Sequence, residues 1–172
     1  MDAAGGLLLN FTGDGKGKTS AALGTVLRAL GNGWRPAVVL LIKDDRPTGE
    51  LRYFREHHPD LIFECHGQGF TNRPGDHAAA ARRGWQRVCG LLRTYPGELL
   101  VIDELNGALA AGLLDLDEVL SALQSRRPGL HVIVTGRDTP PELAAICDLV
   151  SDVREVKHPF AQGVPALKGL DF

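Results

Sequence analysis

Leu7-Leu-Leu-Asn-Phe-Thr-Gly-Asp-Gly-Lys-Gly-Lys-Thr-Ser20 is the stretch on which the fold turns. It reads as an apolar strand, a glycine-rich turn, and Lys18-Thr19 opening a helix. That order places backbone N–H groups, a helix N-terminus and a lysine around one anion, the construction expected of a nucleoside-triphosphate phosphate site. Gly13, Gly15 and Gly17 are expected to allow positive φ and close approach of backbone to phosphate oxygens. Lys18 is a point charge able to reach terminal phosphate oxygens, and the Thr19 hydroxyl is a natural magnesium ligand. Lys16 adds a second cation, partly opposed by Asp14. Against G-x-x-x-x-G-K-[ST], Thr12 stands where the first glycine belongs and Gly13 arrives one residue late. The loop is a compressed variant. A plain glycine-rich turn with two solvated lysines is the competing reading, disfavoured by the legible strand and helix on either side.

Outward from this loop, short apolar runs alternate with helical patterns, which predicts a three-layer α/β fold around a mostly parallel sheet of about six strands. The strands are expected over 7–11, 37–42, 61–65, 99–102, 132–135 and 149–153. They are rich in Val, Ile and Leu, as strands covered on both faces should be. Leu23, Val26, Leu27 and Leu30 give the first helix its apolar stripe, and Gly31-Asn32-Gly33 ends it. A helix from about Asp76 to Thr94 is expected to bury Trp85, Val88, Cys89 and Leu92. Its Arg82, Arg83, Arg87 and Arg93 are read as a solvated face. Asp115-x-x-Glu118 resembles a capping box, ahead of Leu116, Val119, Leu120 and Leu123. Thr139-Pro-Pro-Glu142 reads as a further start with threonine as the cap. No repeat, linker or low-complexity tract divides the chain, so residues 1–172 are expected to form a single domain.

Ligands of open α/β sheets bind beyond the carboxyl ends of the strands. The loops after Phe11, Ile42, Cys65, Ile102 and Thr135 should therefore share one surface. On it, Leu99-Leu-Val-Ile-Asp103-Glu104 is an apolar strand ending in two acids, one of which is expected to serve a metal and the other a neighbour. Val134-Thr-Gly-Arg137 offers a guanidinium able to grip phosphate bidentately, unless it pairs with Asp138 or Glu142. Arg28 reads as solvated. Phe70, on the irregular Gly67–Gly75 stretch, is either a wall for a second substrate or a loop anchor. His158 reads as structural or solvated.

Composition narrows the alternatives. The 172 residues are 44% apolar and 23% charged, with net charge −2. That balance excludes nucleic-acid binding through bulk positive charge. The three cysteines, Cys65, Cys89 and Cys147, form no C-x-x-C pair and predict reduced thiols rather than a disulfide or zinc framework. Without a long apolar run or a basic-then-apolar N-terminus, no membrane association and a cytoplasmic location are expected.

Taken together, these residues resemble the ATP:corrinoid adenosyltransferases, which act on cob(I)alamin or cob(I)yrinic acid a,c-diamide. The matching segments are Thr12–Gly24, Arg28–Gly33, Ile42-Lys43, Thr48-Gly-Glu50, Gly69-Phe-Thr71, Asp103-Glu-Leu105, Thr135-Gly-Arg137 and Val156–Phe160. The compressed loop is itself typical of that family. The resemblance implies a RecA-like P-loop fold, commonly dimeric, that transfers the 5′-deoxyadenosyl group of ATP to a reduced corrinoid and releases triphosphate. By the same resemblance Gly13, Asp14, Gly15, Lys16, Gly17, Lys18, Thr19 and Ser20 hold the triphosphate. Thr19 with Glu104, and Asp103 beside it, hold Mg; Arg28 and Arg137 contact the nucleotide; and Phe70 and position 72 lie against the corrin. Lys18, Arg137 and Glu104 are the expected catalytic groups, and an electron-donating flavoprotein or reductase is the expected partner. Two departures stand out. Asn72 replaces the tryptophan many members carry, with Trp34 and Tyr53 as conceivable substitutes, and only Met1 to Gly6 precede the first strand. The alternatives are a P-loop ATPase or small-molecule kinase, and a non-catalytic corrinoid or nucleotide sensor.

Overall fold

The computed structural model describes residues 5–46, 48–69 and 75–171. Six parallel strands form one sheet: β1 (Leu8–Thr12), β2 (Pro36–Leu40), β3 (Ile62–Cys65), β4 (Leu99–Asp103), β5 (His131–Thr135) and β6 (Leu149–Asp152). Their spatial order is β3-β2-β4-β5-β1-β6, so β5 separates the phosphate-loop strand β1 from the acid-bearing strand β4. The helices are α1 (Lys18–Gly31), α2 (Gly49–His57), α3 (His77–Thr94), α4 (Leu105–Ala110), α5 (Leu116–Gln124) and α6 (Pro141–Ile146).

Alternation along the strands sorts their side chains into two layers. Val38, Val101 and Ile133 pack with Ala22, Leu23 and Val26 of α1 and Phe54 of α2. Ala37, Val39, Leu100, Ile102, Val132 and Val134 point the other way, onto Trp85, Val88 and Leu92 of α3, Val119 and Leu123 of α5, and Leu143 of α6. Each such fully buried Leu, Ile or Val contributes roughly 1.5–3 kcal/mol. The expected double coverage holds for β2 and β4, every residue of which is buried. It fails for β6. Leu149 and Val150 are 42% and 45% exposed because β6 is an edge strand, and periodicity alone does not distinguish an edge from a centre.

Local signals explain most element ends. Asp76 and Asp115 cap α3 and α5 by accepting the N–H of Ala79 and Glu118. Helix α1 stops where expected, the Asn32 N–H returning to the carbonyls of Arg28 and Ala29 ahead of Gly33. Leu27 leaves the expected stripe and is 52% exposed. The start of α6 also differs: Pro140 is its cap residue, and the Thr139 hydroxyl turns instead to Asn10. Helix α2 begins at Thr48, whose hydroxyl accepts the Leu51 N–H, and buries only Leu51 and Phe54. That stripe is too short to announce a helix, as is that of α4. On α3, Arg87 is not merely solvated, since it forms a forked pair with Glu64 of β3 at 2.9–3.1 Å. None of the three cysteines is bonded to another, and burial raises the thiols of Cys65 and Cys147 to about 11, so both stay protonated. No helix among the described residues is long and apolar enough to cross a membrane.

Candidate active site

The phosphate loop is held from below by the exit of β6. The Gly15 N–H donates to the Val153 carbonyl at 2.7 Å. Gly13 adopts φ 99° and Gly17, the cap residue of α1, φ 122°, conformations that side chains resist. Gly15 is not among the positive-φ residues; it is needed for space, because a Cβ there would stand 2.7 Å from the Val153 and Arg154 backbone. The close approach at Gly15 is therefore to the chain itself.

Lys18 curls over this loop, donating to the carbonyls of Gly13 at 2.6 Å and Gly15 at 2.8 Å. Burial lowers its ammonium pKa, with Arg137 adding repulsion, while Glu104, Asp14 and Asp103 oppose both effects. Arg137 follows β5 and donates to the Asp14 carbonyl at 3.1 Å, pairing with neither Asp138 nor Glu142. Its guanidinium thus sits on the rim of the loop, on Lys18's side. Lys16 points elsewhere: its ammonium is paired with Asp171 and donates to the Leu170 carbonyl, rather than being opposed by Asp14.

A hub of four side chains lies beneath the loop. Asp103, 1% exposed at the end of β4, accepts from the Thr19 hydroxyl at 2.8 Å and the Thr135 hydroxyl at 2.7 Å. The Thr135 oxygen in turn accepts the Glu104 N–H at 2.9 Å. Lys43, three residues past β2, places its ammonium 2.8 Å from the Thr19 oxygen and 2.9 Å from Asp103 Oδ2. Sequence reasoning quoted Lys43 only inside a family segment, and Thr135 only as the end of a strand and beside Arg137. Thr135 ends β5 and Lys43 lies just beyond β2, the two neighbours of β4, and those positions were the signal that could have singled them out.

Glu104 takes φ 63°, a left-handed conformation that turns the chain sharply into α4. It is largely buried, and its carboxyl pKa is raised first by burial and then by Asp103, against the pull of Lys43, Lys18 and Arg137. Asp103 faces Thr19, whereas the Glu104 carboxylate lies within the fields of Lys43, Lys18 and Arg137, in falling order. The donors in reach are hydroxyl and carboxylate oxygens, a set suited to a hard divalent cation. Asp103 Oδ2, buried at the end of β4, faces the Lys43 ammonium, so a cation already stands where such an ion would be drawn. No group of three or more His, Cys, Asp or Glu among the described residues makes a complete metal cage, so most of the shell would be phosphate and water.

Other expected site residues are not drawn in. Arg28 is exposed in the last turn of α1, ten residues after Lys18 and so roughly 15 Å along the helix axis. Trp34 stacks on His131, which begins β5, at the end of the sheet opposite the site. Tyr53 stacks on His57 along α2. His158 has a structural role, its ring accepting the Phe160 N–H. Phe70 and Asn72 lie outside the described residues. A surface depression of about 550 Å³, lined by Asp117, Leu120, Ser121, Gln124 and Ser125, lies along α5 and shares no residue with the site.

The chain resembles known proteins along most of its length. Residues 4–172 match the family described as ATP:corrinoid adenosyltransferase BtuR/CobO/CobP. A corrinoid adenosyltransferase of Pseudomonas aeruginosa is 41% identical over 170 residues, covering 97% of this chain and 84% of that protein. The Escherichia coli K12 corrinoid adenosyltransferase is 39% identical over 171 residues, covering 97% and 86%. Among solved structures, the flagellar accessory protein FlaH of Methanocaldococcus jannaschii superposes with TM-score 0.57 at 12% identity, over 87% of this chain and 71% of that one. A KaiC-like protein of Pyrococcus horikoshii gives 0.53 at 20% identity, over 86% and 73%. At such identities these two likenesses speak to the fold alone, which is RecA-like.

Proposed function

Because the chain belongs to the ATP:corrinoid adenosyltransferase family, we propose that it moves the 5′-deoxyadenosyl group of ATP onto the Co(I) of a corrinoid and releases triphosphate. The observation that carries this reading is the convergence, beyond β1, β4 and β5, of Lys18, Arg137, Thr19, Asp103 and Glu104. Attack occurs at the ribose C5′ carbon, so the leaving group is the whole triphosphate. Charge grows at the α-phosphate end, where fixed cations lower the barrier most. Lys18 and Arg137 supply those cations, and the loop N–H groups grip the remaining phosphates. Since Co(I) is already a strong nucleophile, no general base is required. The protein's larger tasks are alignment of cobalt with the C5′–O bond and exclusion of water.

Thr19, Asp103 and Glu104 are the residues that would hold Mg²⁺, which offsets phosphate charge when bound. Phe70 and Asn72 form the corrinoid wall in this reading. Arg28 reaches the nucleotide only if ATP extends along α1. A single domain spanning 1–172, a homodimer in the cytoplasm and a reductase supplying the electron complete the proposal. The acceptor is cobalamin or a cobyrinic acid diamide.

The test is anaerobic incubation with ATP, Mg²⁺ and chemically reduced cobalamin. Adenosylcobalamin and triphosphate are the expected products. Formation of ADP alone would point to an ATPase or kinase, and binding without turnover to a sensor.

A further inference from the structure

We propose that Lys43 is an internal counter-cation occupying the place of the divalent metal, and that metal–nucleotide binding displaces its ammonium onto the polyphosphate. This rests on the reading of Thr19 and Asp103 as metal-facing groups. The Lys43 ammonium lies 2.8 Å from Thr19 Oγ1 and 2.9 Å from Asp103 Oδ2, bridging the two oxygens a metal would bind. Thr19 donates its own proton to Asp103 Oδ1, so the three groups close a ring. Magnesium bonds oxygen at about 2.0–2.1 Å. An ion held by Thr19 and Asp103 would compete with the ammonium already seated against those two oxygens. Two cations cannot share that space, so occupancy by one excludes the other.

The arrangement gives Lys43 two duties. Asp103 is 1% exposed, and its Oδ2 accepts no hydrogen bond, so the ammonium is what neutralises it. Removing one partner of a buried pair strands the other charge. The Lys43 side chain is 38% exposed, however, and its flexible stem can swing the ammonium towards incoming phosphate. Free metal must therefore evict a cation for nothing in return, whereas metal with ATP offers the lysine a new anion. Metal and nucleotide should bind as a unit.

The experiment uses the full chain, with Mn²⁺ as a spin probe and thermal unfolding as a second readout. In the absence of nucleotide, Lys43→Met is expected to bind Mn²⁺ about tenfold more tightly than wild type, or about 1.4 kcal/mol. Its melting temperature should fall in chelator and recover with Mg²⁺, while wild type hardly responds. Lys43→Arg, which keeps the charge, should show no gain in Mn²⁺ affinity. Equal Mn²⁺ affinity in wild type and Lys43→Met, or a melting loss that Mg²⁺ leaves untouched, overturns the proposal. Thr19→Ala separates the two layers of the argument. If it leaves Mn²⁺–ATP binding intact, the metal reading itself fails; if it weakens that binding while Lys43→Met gains nothing, only the role of Lys43 fails.

Discussion

The Thr19 hydroxyl donates to Asp103 Oδ1 at 2.8 Å, although β5 lies between the strands that lead to the two residues. Strands β1 and β4 are two spacings apart, roughly 9–10 Å. The first turn of α1 spans that gap, and Thr135, at the end of the intervening strand, donates to the same carboxylate oxygen.

Thr135→Val tests this joint. It leaves Asp103 with one donor fewer and the Glu104 N–H without its acceptor, a cost of about 1–3 kcal/mol. Thermal unfolding should register a fall of roughly 2–4 °C for each kcal/mol. Turnover should drop as well, because Glu104 loses its anchor, and Thr135→Ser should restore both. Wild-type behaviour of Thr135→Val would show that the hub does not organise the acids.

Lys18→Ala should lose ATP binding and turnover together. Truncating one side of a desolvated charge pair costs roughly 2–5 kcal/mol, which calorimetric titration with ATP and Mg²⁺ would detect. Near-normal kinetics would remove the loop from the active site.

The Arg87–Glu64 pair predicts a pH-dependent stability. Hydrogen bonds from Arg87, and secondarily from His66, hold the Glu64 pKa below its ordinary 4.5. A lowered carboxyl pKa contributes stability above the unfolded value, and that contribution is lost as pH falls through the folded one. Arg87→Met should therefore cost about 0.5–1 kcal/mol at neutral pH for this half-exposed pair. The gap to wild type should close under acid, in melting curves recorded across the carboxylate range. A constant gap at every pH would assign the loss to packing.

Asn72→Trp is expected to improve corrinoid activation while hardly changing ATP affinity. A larger apolar wall excludes an axial water from cobalt and eases reduction of Co(II), each 59 mV or so being tenfold for one electron. Assays started from Co(II) with a reductase should speed up, and assays started from Co(I) should change less. Unchanged or slower transfer from Co(II) would refute this account of position 72.

The order of apolar runs determined the six strands and the parallel sheet, because period and composition are local properties of the chain. The phosphate loop was equally legible, since Gly13 to Thr19 carry their chemistry within seven consecutive residues. What tertiary structure decided is which distant groups meet. Lys43 and Thr135 join Thr19 at Asp103 only because β2 and β5 flank β4, an adjacency that no spacing along the chain encodes. Lys16 turned to Asp171, and β6 became an exposed edge, for the same reason. Local propensity fixes each segment; the company a charge keeps follows from how the sheet is ordered.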